Sequence, residues 1–421
     1  MPFSKALARK TRALGILQLQ LRHWGVWLIE TLLGFAKPDK RIRNYERILI
    51  IRVSALGDSI LSFRAIHGLK RARAESNLYF CLTASATSQI ADKVSAYSGV
   101  KQTNPIQEIL PESLVSRIIS LGNILDKETV SQLRDELKSI RPNAVLVLPQ
   151  QGGGNLRFWI NRLIFLRRSG FRGPVFGWRT SKFIKEATRS LKLGTAIHAS
   201  EFPNYAVCDL LNKDYSLVRN DLFNVAETAR APSEPVFSKA TQSKIEQWLR
   251  AKHRIAISIG AMQEHKQWPI EQFNALIGRL LKHYDVAVIL LGTKEYTQPG
   301  DDIVGCYPNN VLNLCGCTNV GQLAYVLKRA QICIANDGGA THLASALGTP
   351  TVALIPGIEP PGSVDPYGWD KFSVRHEISC APCYSFLSCT KGHRQCMLAI
   401  PVDHVFQKII SIFNEYIYIK V

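Results

Sequence analysis

The sequence predicts an α/β protein built from two doubly wound domains in tandem. Short apolar runs, rich in β-branched residues, alternate with helix-length stretches in two series, one starting at Arg47 and one at Ile255. Strands buried on both faces of a parallel sheet read this way. A proline-rich break, Ala231-Pro232-Ser233-Glu234-Pro235, separates the series and marks a linker. Each series also carries one turn between a strand-like and a helix-like run: Ser54-Ala55-Leu56-Gly57-Asp58 in the first and Asn336-Asp337-Gly338-Gly339-Ala340-Thr341-His342 in the second. Such turns offer free backbone N–H groups and the positive end of a helix dipole to an anion. A length of 421 residues accommodates two such domains, each with its own core.

The elements follow in order. Residues 1–45 form a basic extension with Lys5, Arg9, Lys10, Arg12 and Arg22, in which Leu17, Leu21, Trp24, Leu28 and Leu32 recur at helical spacing beside Trp27. The apolar run from Trp24 to Phe35 is too short to span a bilayer, which takes about 20 apolar residues. Two readings stand side by side: a helix lying in a membrane interface, or a helix packed on the protein's own surface. The first domain, 46–232, opens with strand Ile48–Val53 and a helix from Ser59 to Arg73. Strand Leu78–Thr83, helix Ser88–Tyr97, helix Lys127–Ile140 and strand Ala144–Leu148 follow. The loop Gln150-Gln151-Gly152-Gly153-Gly154-Asn155 comes directly after that strand, where open α/β sheets hold ligands. The second domain, 236–405, reads as strand Ile255–Ile259, helix Ile270–Tyr284, strand Val286–Leu291, helix Val320–Arg329, strand Ile332–Ala335, helix Ala340–Leu347 and strand Thr351–Ile355. A C-terminal helix over 406–421 closes the chain.

A formal charge of +19 favours an anionic partner: acidic lipid, phosphorylated glycan or nucleic acid. No RNA-binding signature or zinc-finger spacing accompanies it, which ranks membrane or phosphorylated acceptor above nucleic acid. A merely solvated basic surface is the bland alternative. No cleavable signal peptide is evident, so the expected compartment is the reducing cytoplasm, with the ten cysteines mostly free thiols. Cys380, Cys383, Cys389 and Cys396 form a tight group with one Cys-x-x-Cys pair. It reads as a structural zinc site, as buried free thiols or as transient disulfides.

Three motifs could carry chemistry. Asp58, after Gly57 at the end of the first strand, can cap the helix beginning at Ser59 or act as a cleft carboxylate that removes a proton from a hydroxyl. Gly57 lets the backbone approach a ligand or adopt positive φ. The turn is not Gly-x-Gly-x-x-Gly, which argues against a dinucleotide fingerprint. Lys266, in His265-Lys266-Gln267-Trp268-Pro269, is either a cation for phosphate oxygens or an ordinary surface lysine, with Pro269 in the first turn of the next helix. Gly338 and Gly339 would let a diphosphate sit against Ala340 and Thr341 N–H groups, with Asp337 fixing the loop or meeting a substrate hydroxyl and His342 capping or filling the pocket.

In their order and spacing these residues resemble glycosyltransferase family 9, the ADP-heptose:lipopolysaccharide heptosyltransferases. The resemblance runs over about residues 47–405, through Arg52–Asp58, Lys266–Pro269, Asn336–Ala344, Leu347–Val352, Cys380–Cys383 and Cys396-Met397. It implies a GT-B fold: two facing Rossmann-like domains with a cleft between them, acceptor on the first and nucleotide sugar on the second. It implies inverting, metal-independent transfer of a sugar from a nucleoside diphosphate, usually heptose from ADP-heptose, to a phosphorylated, lipid-linked lipopolysaccharide core or related surface glycan, with no cofactor. Asp58 would be the general base. Lys266, Asp337, Gly338, Gly339, Ala340, Thr341 and His342 would bind the donor. Ser54, Gly57, Gln150, Gln151 and Asn155 would lie on the acceptor side. Many members have Ser or Thr where Gly338 stands here. The location implied is peripheral, on the inner face of the cytoplasmic membrane. The competing readings are a GT-B relative using a UDP-hexose, a nucleotide-sugar epimerase, and a non-catalytic basic adaptor for membrane or nucleic acid.

Overall fold

The computed structural model describes residues 24–36, 45–53, 56–84, 105–149, 156–177 and 196–418. The expected helix Ser88–Tyr97 lies outside them. The chain divides into two compact units, one of Met1–Ala96 with Pro111–Val225 and the other of Tyr97–Leu110 with Ala226–Val421.

In the first unit, strands β1 (Arg47–Val53), β2 (Asn77–Ala84), β3 (Arg117–Asn123), β4 (Ala144–Val147) and β5 (Val175–Phe176) form a parallel sheet in the order β3-β2-β1-β4-β5. Ile48 to Ile51 of β1 are fully buried because β1 is central and both faces are covered. The covering helices are α1 (residues 24–32), α2 (Leu56–Leu61), α3 (Phe63–Ala72), α5 (Lys127–Ile140), α6 (Leu156–Arg168), α7 (Glu201–Leu211) and α8 (Tyr215–Phe223). On one face Leu133, Trp159, Leu163 and Leu166 pack on Leu49, Ile51, Val145 and Val147. On the other, α3 packs against α7 and α8. Gly68 permits that approach, since a Cβ there would lie 2.3 Å from Phe223.

The second unit repeats the plan. Strands β6 (His253–Ser258), β7 (Val286–Leu291), β8 (Val311–Asn313), β9 (Ile332–Asn336) and β10 (Thr351–Leu354) are parallel, in the order β10-β9-β6-β7-β8. Its helices are α4 (Pro105–Ile109), α9 (Lys239–Leu249), α10 (Ile270–His283), α11 (Thr297–Cys306), α12 (Val320–Arg329), α13 (Gly339–Ala346), α14 (Gln395–Leu398) and α15 (Val402–Ile412). In each sheet the chain starts at the centre, winds out on one side, then returns to the other. The strand order therefore reverses beside β1/β4 and β6/β9, the places where open α/β sheets take ligands at their carboxyl ends.

Three differences from the sequence expectation have physical reasons. The helix from Ser59 to Arg73 is two helices, broken at Ser62, whose hydroxyl donates to the Ser59 carbonyl at 2.6 Å. Helix α4, placed by sequence in the domain 46–232, belongs to the second unit, where the Gly321 N–H donates to the Glu108 carboxylate at 2.9 Å and the Arg230 N–H to the Ile109 carbonyl at 2.7 Å. The C-terminal helix starts at Val402, not 406, because Val405, Phe406, Ile409 and Ile412 are its core-facing stripe.

Candidate active site

In the first unit, helix α2 starts at Leu56, three residues earlier than the expected Ser59. Two expectations change with it. Asp58 is not the cap but a first-turn residue, and Gly57 lies within the helix and is not among the positive-φ glycines. The Asp58 carboxylate is 37% exposed. Beneath it lies Arg52 of β1, a buried guanidinium that sequence reasoning quoted but gave no role. Its Nη2 donates to the Asp58 carbonyl at 3.0 Å and stands 3.9 Å from Asp58 Oδ1. Its Nη1 donates to Leu148 at 3.3 Å and to Pro149, at the end of β4. One planar fork thus joins the ends of β1 and β4 to the first turn of α2. Burial pushes the Arg52 guanidinium down from its ordinary value, and the Asp58 charge acts in the opposite sense. Ser54, Gln150, Gln151 and Asn155 lie outside the described residues.

In the second unit, Lys266, Asp337 and His342 come together at the carboxyl ends of β6 and β9. The Asp337 carboxylate is buried, with Oδ2 accepting from Lys266 Nζ at 2.7 Å and Oδ1 lying 3.8 Å from His342 Nε2. Lys266, a quarter exposed, keeps further N–H donors for a ligand. The loop that carries it is held by Asn336, whose Oδ1 accepts from the Trp268 N–H at 3.0 Å and whose Nδ2 donates to Ile259 and Gly260 carbonyls at 3.4 and 3.3 Å. Trp268 is buried, and its Nε1 donates to the Ile400 carbonyl at 3.0 Å. Pro269 sits one residue before α10 rather than in its first turn.

Gly338 caps α13, and the His342 N–H donates to the Gly338 carbonyl at 3.2 Å. The N–H groups of Gly339, Ala340 and Thr341 belong to the first turn, which has no intrahelical acceptor to offer them. The Thr341 hydroxyl donates to the Asn336 carbonyl at 2.7 Å, closing the turn from within. Gly338 itself is extended, at φ 171°, and a Cβ there would meet only the Asn336 carbonyl, at 3.9 Å. The space beside Gly338 is therefore open, to a closely approaching ligand or to a small side chain. A buried carboxylate, a lysine and a helix start at a strand-order reversal can hold a diphosphate and a polyhydroxylated group next to it.

Cys380, Cys383, Cys389 and Cys396 are free thiols. Among the described residues no group of three or more His, Cys, Asp or Glu is placed to hold a metal ion. Cys380 Sγ lies 4.0 Å from His393 Nε2. The Arg394 N–H foremost, with those of Lys391, Gly392 and His393, holds the Cys389 thiol below its ordinary value, whereas burial pushes Cys396 up. Iodoacetamide at neutral pH is therefore expected to label Cys389 well before Cys396, which peptide mass mapping over time would check. Equal labelling would contradict the assignment.

Residues 211–393 match the family model described as "Glycosyltransferase family 9 (heptosyltransferase)". The chain is similar to lipopolysaccharide heptosyltransferase 1 of Campylobacter coli, 23% identical over 323 residues that cover 73% of this chain and 83% of that protein. Its backbone is similar to the family 9 glycosyl transferase of Veillonella parvula, with a TM-score of 0.56 at 16% identity over 90% of this chain and 100% of that one. It is also similar to E. coli heptosyltransferase WaaC with ADP-2-deoxy-2-fluoro heptose, with a TM-score of 0.50 at 16% identity over 87% of this chain and 99% of that one. At these identities the structural likenesses establish the fold, the GT-B type with two parallel five-stranded sheets.

Proposed function

We propose that this chain, a glycosyltransferase of family 9, the heptosyltransferase family, moves a heptose from ADP-heptose to a sugar hydroxyl of a lipopolysaccharide core acceptor, inverting the anomeric centre. The observation that carries this reading is the Lys266–Asp337–His342 group beside the start of α13. It offers cationic and N–H donors to a diphosphate, and a buried carboxylate to sugar hydroxyls. The donor class is carried over from E. coli WaaC, whose structure holds an ADP-heptose analogue, and the acceptor class from the name of the C. coli protein.

In the proposed step, the acceptor hydroxyl gives its proton to Asp58 as its oxygen bonds to the anomeric carbon. The bond from that carbon to the diphosphate breaks, and its electron pair leaves with ADP. Negative charge grows on the leaving oxygen, where Lys266 and the N–H groups of Gly339, Ala340 and Thr341 stabilise it without a metal. Attack opposite the leaving group inverts the centre in a single displacement. Arg52 holds the first turn of α2, and so the Asp58 carboxylate, at the carboxyl ends of the central strands. Ser54, Gly57, Gln150, Gln151 and Asn155 are proposed to meet the acceptor. A lipid-linked acceptor would place the reaction at the inner face of the cytoplasmic membrane.

The test is ADP release from purified protein given ADP-heptose, with and without a lipopolysaccharide core acceptor. Acceptor-dependent release is expected, with a β- to α-type or α- to β-type change of anomeric configuration by NMR. Turnover of a UDP-hexose in preference to ADP-heptose would overturn the donor assignment. The open position at Gly338 gives a second expectation. Gly338→Ser should fold with an unchanged melting temperature and bind ADP a few-fold more tightly by calorimetry, through one added hydroxyl donor worth about 1 kcal/mol. A fall in melting temperature would show that the turn needs glycine.

A further inference from the structure

Helix α1 has apolar side chains on both of its faces. Val26 is buried in the first unit's core together with Phe35 just beyond the helix, and Ile29 and Leu33 pack against the same cluster. The opposite face leaves Trp24 66%, Trp27 45%, Leu28 51% and Leu32 71% exposed. At 100° per residue these positions fall within one arc, so the side chains form a continuous ridge. Thr31 lies in the same arc, but its hydroxyl already donates to the Trp27 carbonyl at 2.9 Å and adds no unsatisfied polar group to it. The two indoles meet edge to face, with ring centroids 6.1 Å apart. The described part of the stripe, Trp24, Trp27, Leu28 and Leu32, thus points away from the core: one face of α1 packs on the protein, and the other has no protein partner among the described residues.

The ridge has a basic border. Arg167 Nη2 lies 4.0 Å from where a Gly34 Cβ would stand, and the Ala36 N–H donates to the Arg172 carbonyl at 2.8 Å. Arg172 in turn donates to the Arg167 carbonyl at 2.9 Å, and Arg134 to the Arg168 carbonyl at 3.0 Å. Arg134, Arg168 and Arg172 are exposed. Helix α6, whose Trp159, Leu163 and Leu166 share an apolar cluster with Val26 of α1, carries Arg157, Arg167 and Arg168 outside the core and no acidic residue, while the one acid of α1, Glu30, is buried.

We propose that this ridge is a docking surface for an anionic phospholipid bilayer, with Trp24, Trp27, Leu28 and Leu32 entering the interfacial region and the arginines meeting lipid phosphates. Tryptophan suits that depth because its ring is apolar and its N–H finds water or headgroup acceptors. Among the described residues no helix is long and apolar enough to cross a membrane, so attachment by a face is the geometry available to them. A second copy of the chain is a poorer occupant: a two-fold contact would bring the same arginines against one another. The proposal uses neither Asp58 nor Lys266, and it stands whichever sugar is transferred.

The full chain is to be sedimented with vesicles of phosphatidylethanolamine and phosphatidylglycerol, and with phosphatidylcholine alone, at low and high salt. Preferential, salt-sensitive binding to the anionic vesicles is expected, with a blue shift of tryptophan emission. The triple variant Trp24→Ser/Trp27→Ser/Leu32→Ser is expected to bind at least about tenfold more weakly. Because its substitutions are at exposed positions, its melting temperature and its ADP release with a soluble acceptor should be unchanged. Arg168→Gln/Arg172→Gln should lower the salt-sensitive part of the affinity and leave the emission shift of the bound state. No preference for anionic vesicles, or equal binding by the triple variant, overturns the proposal. So does a concentration-dependent dimer, seen by sedimentation equilibrium, that the triple variant abolishes.

Discussion

Asp58→Asn is expected to lower kcat for sugar transfer by about 10²–10⁴-fold, the usual contribution of a positioned general base. The substitution is nearly isosteric, and the Arg52 contact to the residue-58 carbonyl, at 3.0 Å, is made with backbone and survives it. Helix α2 should therefore keep its place, and ADP affinity should stay within about twofold, since the residue belongs to the unit that does not carry Lys266. Steady-state ADP release and calorimetry with ADP separate the two effects. Retention of wild-type kcat would remove Asp58 from the mechanism, whatever the donor proves to be.

The second large effect is expected at Lys266. Lys266→Ala removes the cation proposed to meet the departing diphosphate, so kcat/KM should fall by about 10²–10³-fold. It also strands the buried Asp337 carboxylate, which loses a partner at 2.7 Å. Breaking a fully buried pair costs about 3–5 kcal/mol. Because Lys266 is a quarter exposed and water can reach the gap, a stability loss nearer about 2 kcal/mol is expected here. Urea unfolding measures that loss independently of catalysis. Lys266→Arg should restore most of the stability and only part of kcat/KM, because a planar fork replaces a compact cation. A variant with lost stability but full kcat/KM would make Lys266 a structural partner of Asp337 and nothing more.

The central strands were legible in the chain because they are buried on both faces. β1, β6, β7 and β9 each contain a buried apolar run rich in β-branched residues, such as residues 48–51 and 288–291, and edge strand β10 has a buried apolar run too, in residues 352–354. Helices Lys127–Ile140 and Val320–Arg329 were legible for a different reason. Both have helical periodicity, with Val130, Leu133 and Ile140 buried in the one and Ala324 and Leu327 in the other, which also begins with a capping box between Asn319 and Gln322. Strands β3, β5 and β8 were not seen. Each is at or next to a sheet edge, β5 is two residues long and β8 three, and their extended form comes from a neighbour's hydrogen bonds rather than from their own pattern. The short helices α7 and α8 were missed too. α8 has little sidedness, and α7 is buried nearly all round, so neither shows a single apolar stripe.

Taken alone, the chain singled out the residues now proposed to carry chemistry: a carboxylate after the first strand, a lysine before a Trp-Pro pair, and an Asp-Gly-Gly turn. These are local signals, since strand-to-helix turns are written by adjacent residues. Tertiary structure decided their partners and their orientation. Lys266 finds Asp337 across 71 residues, Arg52 turns beneath Asp58 to reach the end of β4, and the Trp–Leu stripe of α1 faces outward. Periodicity shows that a helix has an apolar side, but not which side the core will take. That depends on which face fits the surface beneath it, and the surface exists only after strands far apart in the chain have paired.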